Sequence, residues 1–287
     1  MFFSMLHSPP SEHGFNRTTW RIPDLVEVMQ KRSHFLNEPM VSRLISDGGY
    51  RWRQARVVLT SNDPKFRQKL DRVKATLSQL REDEAFFSVD EFGSFAVRMR
   101  GGRALVPPAG LRSVPQWQKS KGALIVTAAL ELSENQVTHF YSKRKNTGEM
   151  IALLRRLRDE CSDRRWLYVT WDAAPWHRSR QLFDFIRDHN DAAATQAPQI
   201  RVVPLPARAQ FLNVIESVFS GMARAIIHNS DYPSPEAARD AIDRYFADRN
   251  AHFRKHPRRA GKKIWGQERV PSAFSEGQNC KDPNYER

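Results

Sequence analysis

The sequence predicts an α/β fold, a mixed sheet flanked by helices, preceded by a small helical module. Three observations lead there. Residues 20–49 and 61–84 carry apolar positions at helical spacing; from residue 85 the pattern changes to strand-like apolar runs; and beyond residue 146 helices and strands alternate. Strands first and alternation second favour a sheet with both parallel and antiparallel pairs.

The first helix is expected in IPDLVEVMQKR. Ile22, Leu25, Val28 and Met29 share one face, and Pro23 is tolerated in the first turn because its missing N–H would have no helical partner. After a break at SHFLN, NEPMVSRLISDGG reads as a second helix. Asn37 is its N-cap, Gly48-Gly49 ends it, and Met40, Val41, Leu44 and Ile45 form its stripe. YRWRQARVVLT then alternates like a strand. Two helices across a break and a basic strand fit a helix-turn-helix with a wing, and equally a plain helical hairpin. Arg43 on the second helix would face the major groove if the module reads DNA.

A further helix is expected over 61–84, capped by Asp63 and opened by Pro64. Phe66, Leu70, Val73, Leu77 and Leu80 make one seam, which packs on its own domain or pairs like a short coiled coil. AFFSVDEFG and SFAVRMR read as a hairpin, and GALIVTAALEL with QVTHFYSK as another strand pair. NTGEMIALLRRLRDEC is a helix with Asn146 and Glu149 spaced as a capping box. RWLYVTWD is a strand, SRQLFDFIRDHN a helix and IRVVPLP a strand. FLNVIESVFSGMARAII and SPEAARDAIDRYFADRNAHF are the last two helices, and the chain beyond residue 268 reads as an irregular tail.

Composition bounds the chemistry. The 287 residues carry a formal charge of +14 and are 40% hydrophobic. That supports a real core and favours a polyanionic partner, nucleic acid above all, while charge alone leaves open a basic protein with a merely solvated surface. No apolar run of about 18 residues predicts a membrane span, and MFFSMLHSPPSEHG is a poor signal peptide. Two cysteines without metal-like spacing argue against zinc and fit a reducing cytosol. G-x-G-x-x-G, G-x-x-x-x-G-K-[ST] and G-x-S-x-G are all missing, which removes common nucleotide-binding and hydrolase sites.

Carboxylates after apolar runs remain. Asp90 and Asp172 each read as the end of a strand, where open α/β sheets place their ligand sites. If the two strands are parallel neighbours, the like charges repel unless a divalent cation lies between them, and magnesium takes such oxygen ligands. Glu216 is the third member, on a polar stripe with Asn213, Ser217, Ser220 and Arg224. Three carboxylates of this kind hold two metals for phosphoryl transfer. Each alone is more often a turn or cap residue. Alternation turns Glu91 away from Asp90, and His177 is more often a packing histidine than a ligand.

FFSVDEFG, LYVTWDAAPWHRS and VVPLPARAQFLNVIESVFS, with 82 positions from Asp90 to Asp172 and 44 from there to Glu216, together resemble the DDE transposases of bacterial insertion sequences related to mariner-type elements. The resemblance spans roughly residues 20–265. It implies a helix-turn-helix (winged-helix-like) module over 1–60, a linker helix over 61–84, an RNase H-like catalytic domain over 85–267 and a tail over 268–287. It implies Asp90, Asp172 and Glu216 as the catalytic and metal-binding triad for two Mg2+ or Mn2+ ions, with His177 and Asn213 as site neighbours. It further implies double-stranded DNA as partner (transposon ends and target), a homodimer on DNA, and a cytoplasmic, nucleoid-associated place of action. Ala173 and Val214 depart from the family's usual asparagine and proline, and there is room for one N-terminal module where two are usual. Two acid-free basic runs suit a DNA path: Arg98, Arg100, Arg103, Arg112, Lys119 and Lys121; then Arg254, Lys255, Arg258, Arg259, Lys262 and Lys263. The alternatives are a non-cutting DNA-binding derivative and a nuclease without strand transfer.

Overall fold

The computed structural model describes residues 2–52, 61–192, 198–261 and 264. The chain divides into two compact units, Met1–Val57 and Val58–Arg287.

The first unit is helical. Helix α1 (Phe2–Leu6) and a 3-10 turn (Pro10–His13) precede α2 (Ile22–Lys31) and α3 (Glu38–Asp47). The first two of these are additions to the sequence reading. Their Met5, together with Trp20, closes a small core on Leu25, Val28, Met29 and Val41. Asn37 caps α3 by accepting from the Met40 amide at 3.0 Å. The stripe expected on α3 is only partly buried. Val41 is inside, whereas Met40 and Leu44 are 48% and 38% exposed. A core this small covers one face of a ten-residue helix and no more. The strand expected over residues 50–60 lies mostly outside the described residues, as does the tail beyond 264.

In the second unit a five-stranded sheet has the order β3-β2-β1-β4-β5. Its strands are β1 (Glu84–Ala96), β2 (Ala123–Glu131), β3 (Val137–Ser142), β4 (Trp166–Thr170) and β5 (Gln199–Val202). The β1–β2 and β2–β3 pairs are antiparallel; β1–β4 and β4–β5 are parallel. The mixed sheet is as expected. The hairpin expected within residues 85–100 is not. AFFSVDEFG and the start of SFAVRMR are one strand, continuous through a register shift at Gly93–Phe95. Gly93 has φ +111°, and a Cβ there would lie 2.5 Å from the Leu124 carbonyl oxygen, so the glycine makes a bulge rather than a turn. Asp90 therefore lies inside β1, not at its end.

Alternation along the strands sorts the side chains into two cores. Phe86, Val126, Ala128 and Leu130 pack against α4 (Phe66–Ser78), α7 (Ile215–Met222) and α8 (Pro235–Lys255). Phe87, Val89, Leu167, Val169 and Trp171 pack against α5 (Thr147–Glu160) and α6 (Arg180–Ala192). The seam of α4 is buried in the first of these cores, which decides against self-pairing.

Helix ends differ in detail from expectation. Helix α4 starts at Phe66, and Asp63 is a buried anchor, not its N-cap. Its carboxylate accepts from the Lys65 and Ala207 amides and from Lys69 Nζ, at 2.7–2.8 Å. Asn146 does cap α5, accepting from the Glu149 amide at 3.0 Å. Glu149 accepts from the Lys143 amide, so the reciprocal half of a capping box is replaced by a bond to the preceding loop. The helix expected from Phe211 begins at Ile215, after a 3-10 turn at Gln210–Leu212. Both sheet edges are covered. Asn250 on α8 bonds the N–H and C=O of Val137, and Asn190 on α6 bonds those of Ile200. Each amide replaces a missing neighbour strand.

Candidate active site

The site begins with a register. Every β1–β4 pair joins residues 82 positions apart, from Glu84↔Trp166 to Ser88↔Thr170. Two more residues along both chains bring Asp90 opposite Asp172. Ser88 and Asp90 point to the α7 face, as do Thr170 and Asp172 by the same alternation. The pair of aspartates is thus built by backbone pairing, before any side-chain contact is considered.

Glu216 enters from the first turn of α7. The helix is fixed to β1 by Ser88 and Asn213, both buried. Ser88 Oγ donates to Asn213 Oδ1 at 2.6 Å and accepts from the Ile215 amide at 3.1 Å. Asn213 Nδ2 donates to Asp90 Oδ2 at 3.0 Å. One amide side chain therefore sets both the start of α7 and the orientation of Asp90. The five polar residues of the expected stripe, Asn213, Glu216, Ser217, Ser220 and Arg224, all line one groove of about 690 Å³. It adjoins a second groove of about 430 Å³, with Val214, Ser217 and Gly261 common to both, and Arg249, Arg258 and Arg259 lining the second.

The three carboxylates feel one another. Burial raises the Asp90 carboxyl; the Glu91 amide opposes this; the charges of Asp172, Glu91 and Glu216 add to it, and the pKa stands at about 7. The surplus negative charge is what a cation would relieve. The carboxylates converge on one face without closing a cage: among the described residues no three of His, Cys, Asp and Glu are gathered tightly enough to hold an ion in this conformation.

His177 gains a place that sequence reasoning left open. It is fully buried in a 3-10 turn at Pro175–Arg178. Nδ1 is 2.7 Å from Asp172 Oδ1 and Nε2 is 3.3 Å from Glu91 Oε1. Burial disfavours the imidazolium, but the hydrogen bonds to Asp172 and Glu91 outweigh it and push His177 up to about 9. At neutral pH both ring nitrogens therefore donate. The bond from His177 in turn holds Asp172 below the usual carboxylate range, against burial, with help from the Ala174 amide and the charge of Lys145. Glu91, pointing away from Asp90 as alternation predicts, is the far end of this bridge. It also accepts from Trp176 Nε1 at 3.1 Å.

Sequence reasoning missed Ser88, Glu91, Trp176 and Lys145 as parts of the site. Ser88 was legible as the residue two before Asp90 on the same face. The other three depend on how the loop after β4 folds back.

The basic runs divide. Lys121 is paired with Asp231 at 2.9 Å, and Arg100 and Arg112 donate to the carbonyls of Ala96 and Asn229. Lys121 and Arg112, with the Arg100 backbone amide on the Ser230 carbonyl, tie the long 97–122 segment to the 226–232 loop, while the Arg100 guanidinium folds back on the end of β1. Arg98, half-buried, and Arg103 and Lys119, exposed, lie on the same segment. Arg254, Lys255, Arg258 and Arg259 are exposed at and beyond the end of α8. Lys262 and Lys263 lie outside the described residues. Arg43 is exposed on α3, 3.6 Å from Asp47.

Residues 86–238 match the family described as DDE superfamily endonuclease. The fold is similar to that of the Mos1 transposase. Its strand transfer complex has a TM-score of 0.56 at 16% identity, covering 89% of this chain and 73% of that one. A pre-cleavage Mos1 transpososome gives 0.54 at 14%, covering 89% and 82%, and the Mos1 mariner paired-end complex with Mn gives 0.54 at 15%, covering 88% and 79%. No curated protein matches the sequence. These likenesses establish the RNase H-like fold expected from the sequence. No helix among the described residues is long and apolar enough to cross a membrane.

Proposed function

The chain belongs to the DDE superfamily of endonucleases, and from that premise we propose that it is a transposase of a bacterial insertion sequence. It cuts DNA phosphodiesters at transposon ends and transfers the freed 3′ ends to target DNA. The observation that carries this reading is the register-locked pair Asp90/Asp172 with Glu216 beside it, all within the family match.

Asp90, Asp172 and Glu216 would hold two divalent cations, Mg2+ or Mn2+. The donor set fits: three hard carboxylates on one face, one of them raised to about 7 by burial, with the neighbouring negative charges adding to it. When bound, the cations neutralise the scissile phosphate and stabilise charge developing on its oxygens. The chain's own residues supply order. Asn213 fixes Oδ2 of Asp90. His177 holds Oδ1 of Asp172, so the other oxygen is the one presented to the face. The joined grooves beside α7 give the DNA backbone a path lined by Arg224, Arg258 and Arg259. Arg98, Arg103 and Lys119, with Arg254 and Lys255, extend that basic surface, and the N-terminal unit, with Arg43 on α3, reads the transposon end. The active form is a homodimer on DNA, acting in the cytoplasm at the nucleoid.

A Mg2+-dependent nicking and joining assay on linear DNA bearing the element's own ends tests this. Wild type should nick and join. Asp90→Asn, Asp172→Asn and Glu216→Gln should each abolish both while still binding DNA. Full nicking by Asp172→Asn would sink the assignment, nicking without joining would point to a plain nuclease, and binding without nicking in wild type to a non-cutting derivative.

A further inference from the structure

Away from the α7 grooves, a separate cavity of about 520 Å³ opens between α4 and the β4–β5 edge of the sheet. Its wall carries four guanidiniums, those of Arg72, Arg81, Arg165 and Arg201, against one carboxylate, Glu84. None of the four arginines forms an ion pair with a carboxylate among the described residues. Glu84 is turned to local structure: one oxygen accepts from the Arg81 amide at 3.1 Å and the other lies 3.5 Å from the Tyr168 hydroxyl. Elsewhere on this chain exposed arginines are commonly paired, as Arg156 is with Glu160 and Arg187 with Asp184. A concave wall with four unpaired guanidiniums is therefore a concentrated positive field.

Two features give the field a direction. Arg201 is stacked over Trp166 at 3.5 Å from the ring centroid, which fixes the plane of its guanidinium and leaves its N–H edge for an acceptor. And Trp166, Tyr168 and Asp172 share one face of the sheet by alternation, with Arg201 paired to Tyr168 across β4–β5. Tyr168 and Asp172 are four positions apart along the chain, about 13 Å at the rise of a strand. That is roughly four base-pair steps of duplex DNA at ~3.4 Å each.

We propose that this arginine-lined cavity is a second DNA-backbone site, which takes phosphates of the same duplex a few base pairs from the scissile bond. It rests on the DNA reading above, and its spacing from the scissile bond takes Asp172 as part of the reacting site; the salt dependence tests the phosphate contacts alone. Guanidiniums suit the task because each donates two parallel N–H bonds to a phosphate. Apart from the guanidiniums its polar lining is Thr76, Gln79, Glu84 and Tyr168, so phosphate contacts dominate and the site positions DNA rather than selecting sequence.

The test is the salt dependence of binding by the full chain to a short mixed-sequence duplex, read by fluorescence anisotropy in EDTA. Arg165→Gln/Arg201→Gln should lower the slope of log K against log salt by about 0.9 for each phosphate no longer neutralised, a change of about one to two units. Arg72→Gln/Arg81→Gln, which leaves the Trp166 stack intact, should act in the same direction and keeps the test valid if the first variant fails to fold. Arg155→Gln/Arg158→Gln on α5, on the opposite face, makes the same charge change and should leave the slope alone. Unchanged slopes in both cavity variants, or an equal drop in the α5 control, would overturn the proposal while leaving DNA binding intact. A wild-type chain with no salt-dependent binding would instead defeat the DNA reading itself, and this site with it.

Discussion

Replacing His177 by alanine removes the cation that bridges a buried carboxylate, Glu91, and a partly exposed one, Asp172. The side chain is 0% exposed and that of Glu91 is 1% exposed. Without the imidazolium, the hydrogen bonds left among the described residues are the Trp176 N–H on Glu91 at 3.1 Å and the Ala174 amide on Asp172 at 3.0 Å, with the charge of Lys145 near Asp172. Two lines of reasoning give the size. The rise of His177 from 6.5 to about 9 corresponds to about 3 kcal/mol. Breaking a buried pair by deleting one partner costs about 3–5 kcal/mol, because the charge left behind is uncompensated. Urea unfolding at pH 7, followed by circular dichroism, should therefore show a loss of about 3–5 kcal/mol. Adding Glu91→Gln to His177→Ala should restore about 2 kcal/mol, since a neutral amide needs no counter-ion. The pH dependence has a fixed sign. His177 is raised in the folded state, so its contribution is full below pH 6.5 and fades as pH rises through about 9. The gap between wild type and variant should therefore narrow from about pH 6.5 to about 9 and stay small above it. A loss under about 1 kcal/mol, or strict additivity of the two substitutions, would refute the bridge.

Four further outcomes follow from the same geometry. Because Asp90 stands at about 7 and must lose its proton to hold a cation, apparent Mg2+ affinity should rise close to tenfold per pH unit from pH 5.5 towards 7 and then level off; calorimetry showing a flat profile would contradict this. Without metal the sign for stability is the reverse: a raised carboxyl favours the folded state less as pH climbs from about 4 to about 7, so added Mg2+ should raise the melting temperature most above pH 7. Asn213→Ala leaves the buried Ser88 hydroxyl without its acceptor and releases Asp90 Oδ2, and should cost about 2–3 kcal/mol, with Asn213→Asp no better because it sets a carboxylate against Asp90. Gly93→Ala forces a side chain to φ +111° and against the Leu124 carbonyl, and should cost more than about 2 kcal/mol by denaturant unfolding.

The outline of the molecule was legible because periodicity reports burial. The α5 face of Met150, Leu153, Leu154 and Leu157 is wholly inside, and the polar stripe from Asn213 to Arg224 does line one groove. The errors fall where local signals compete with long-range pairing. Gly93 is a turn residue by propensity and a bulge in the sheet because β2 holds both sides of it. Asp63 has the residue type of a cap, yet it is taken up by an amide 144 positions away, which no local pattern can announce. Met40 and Leu44 follow helical spacing but stay exposed, since spacing shows which face is apolar and not what covers it.

By itself the sequence determined most of the elements, the α/β class, the basic charge and the three candidate carboxylates. These are properties of short windows and of sums, and short windows carry them. Tertiary structure decided which carboxylates meet. The constant offset of 82 between β1 and β4 places Asp90 beside Asp172; the Ser88–Asn213 contact fixes where α7 starts; the turn after β4 delivers His177 to Glu91. Each of these is a contact across more than 80 residues of chain, made by backbone pairing or by the satisfaction of a buried polar group. That is why Asp172, ambiguous as the last residue of an apolar run, has a defined partner on either side in the folded protein.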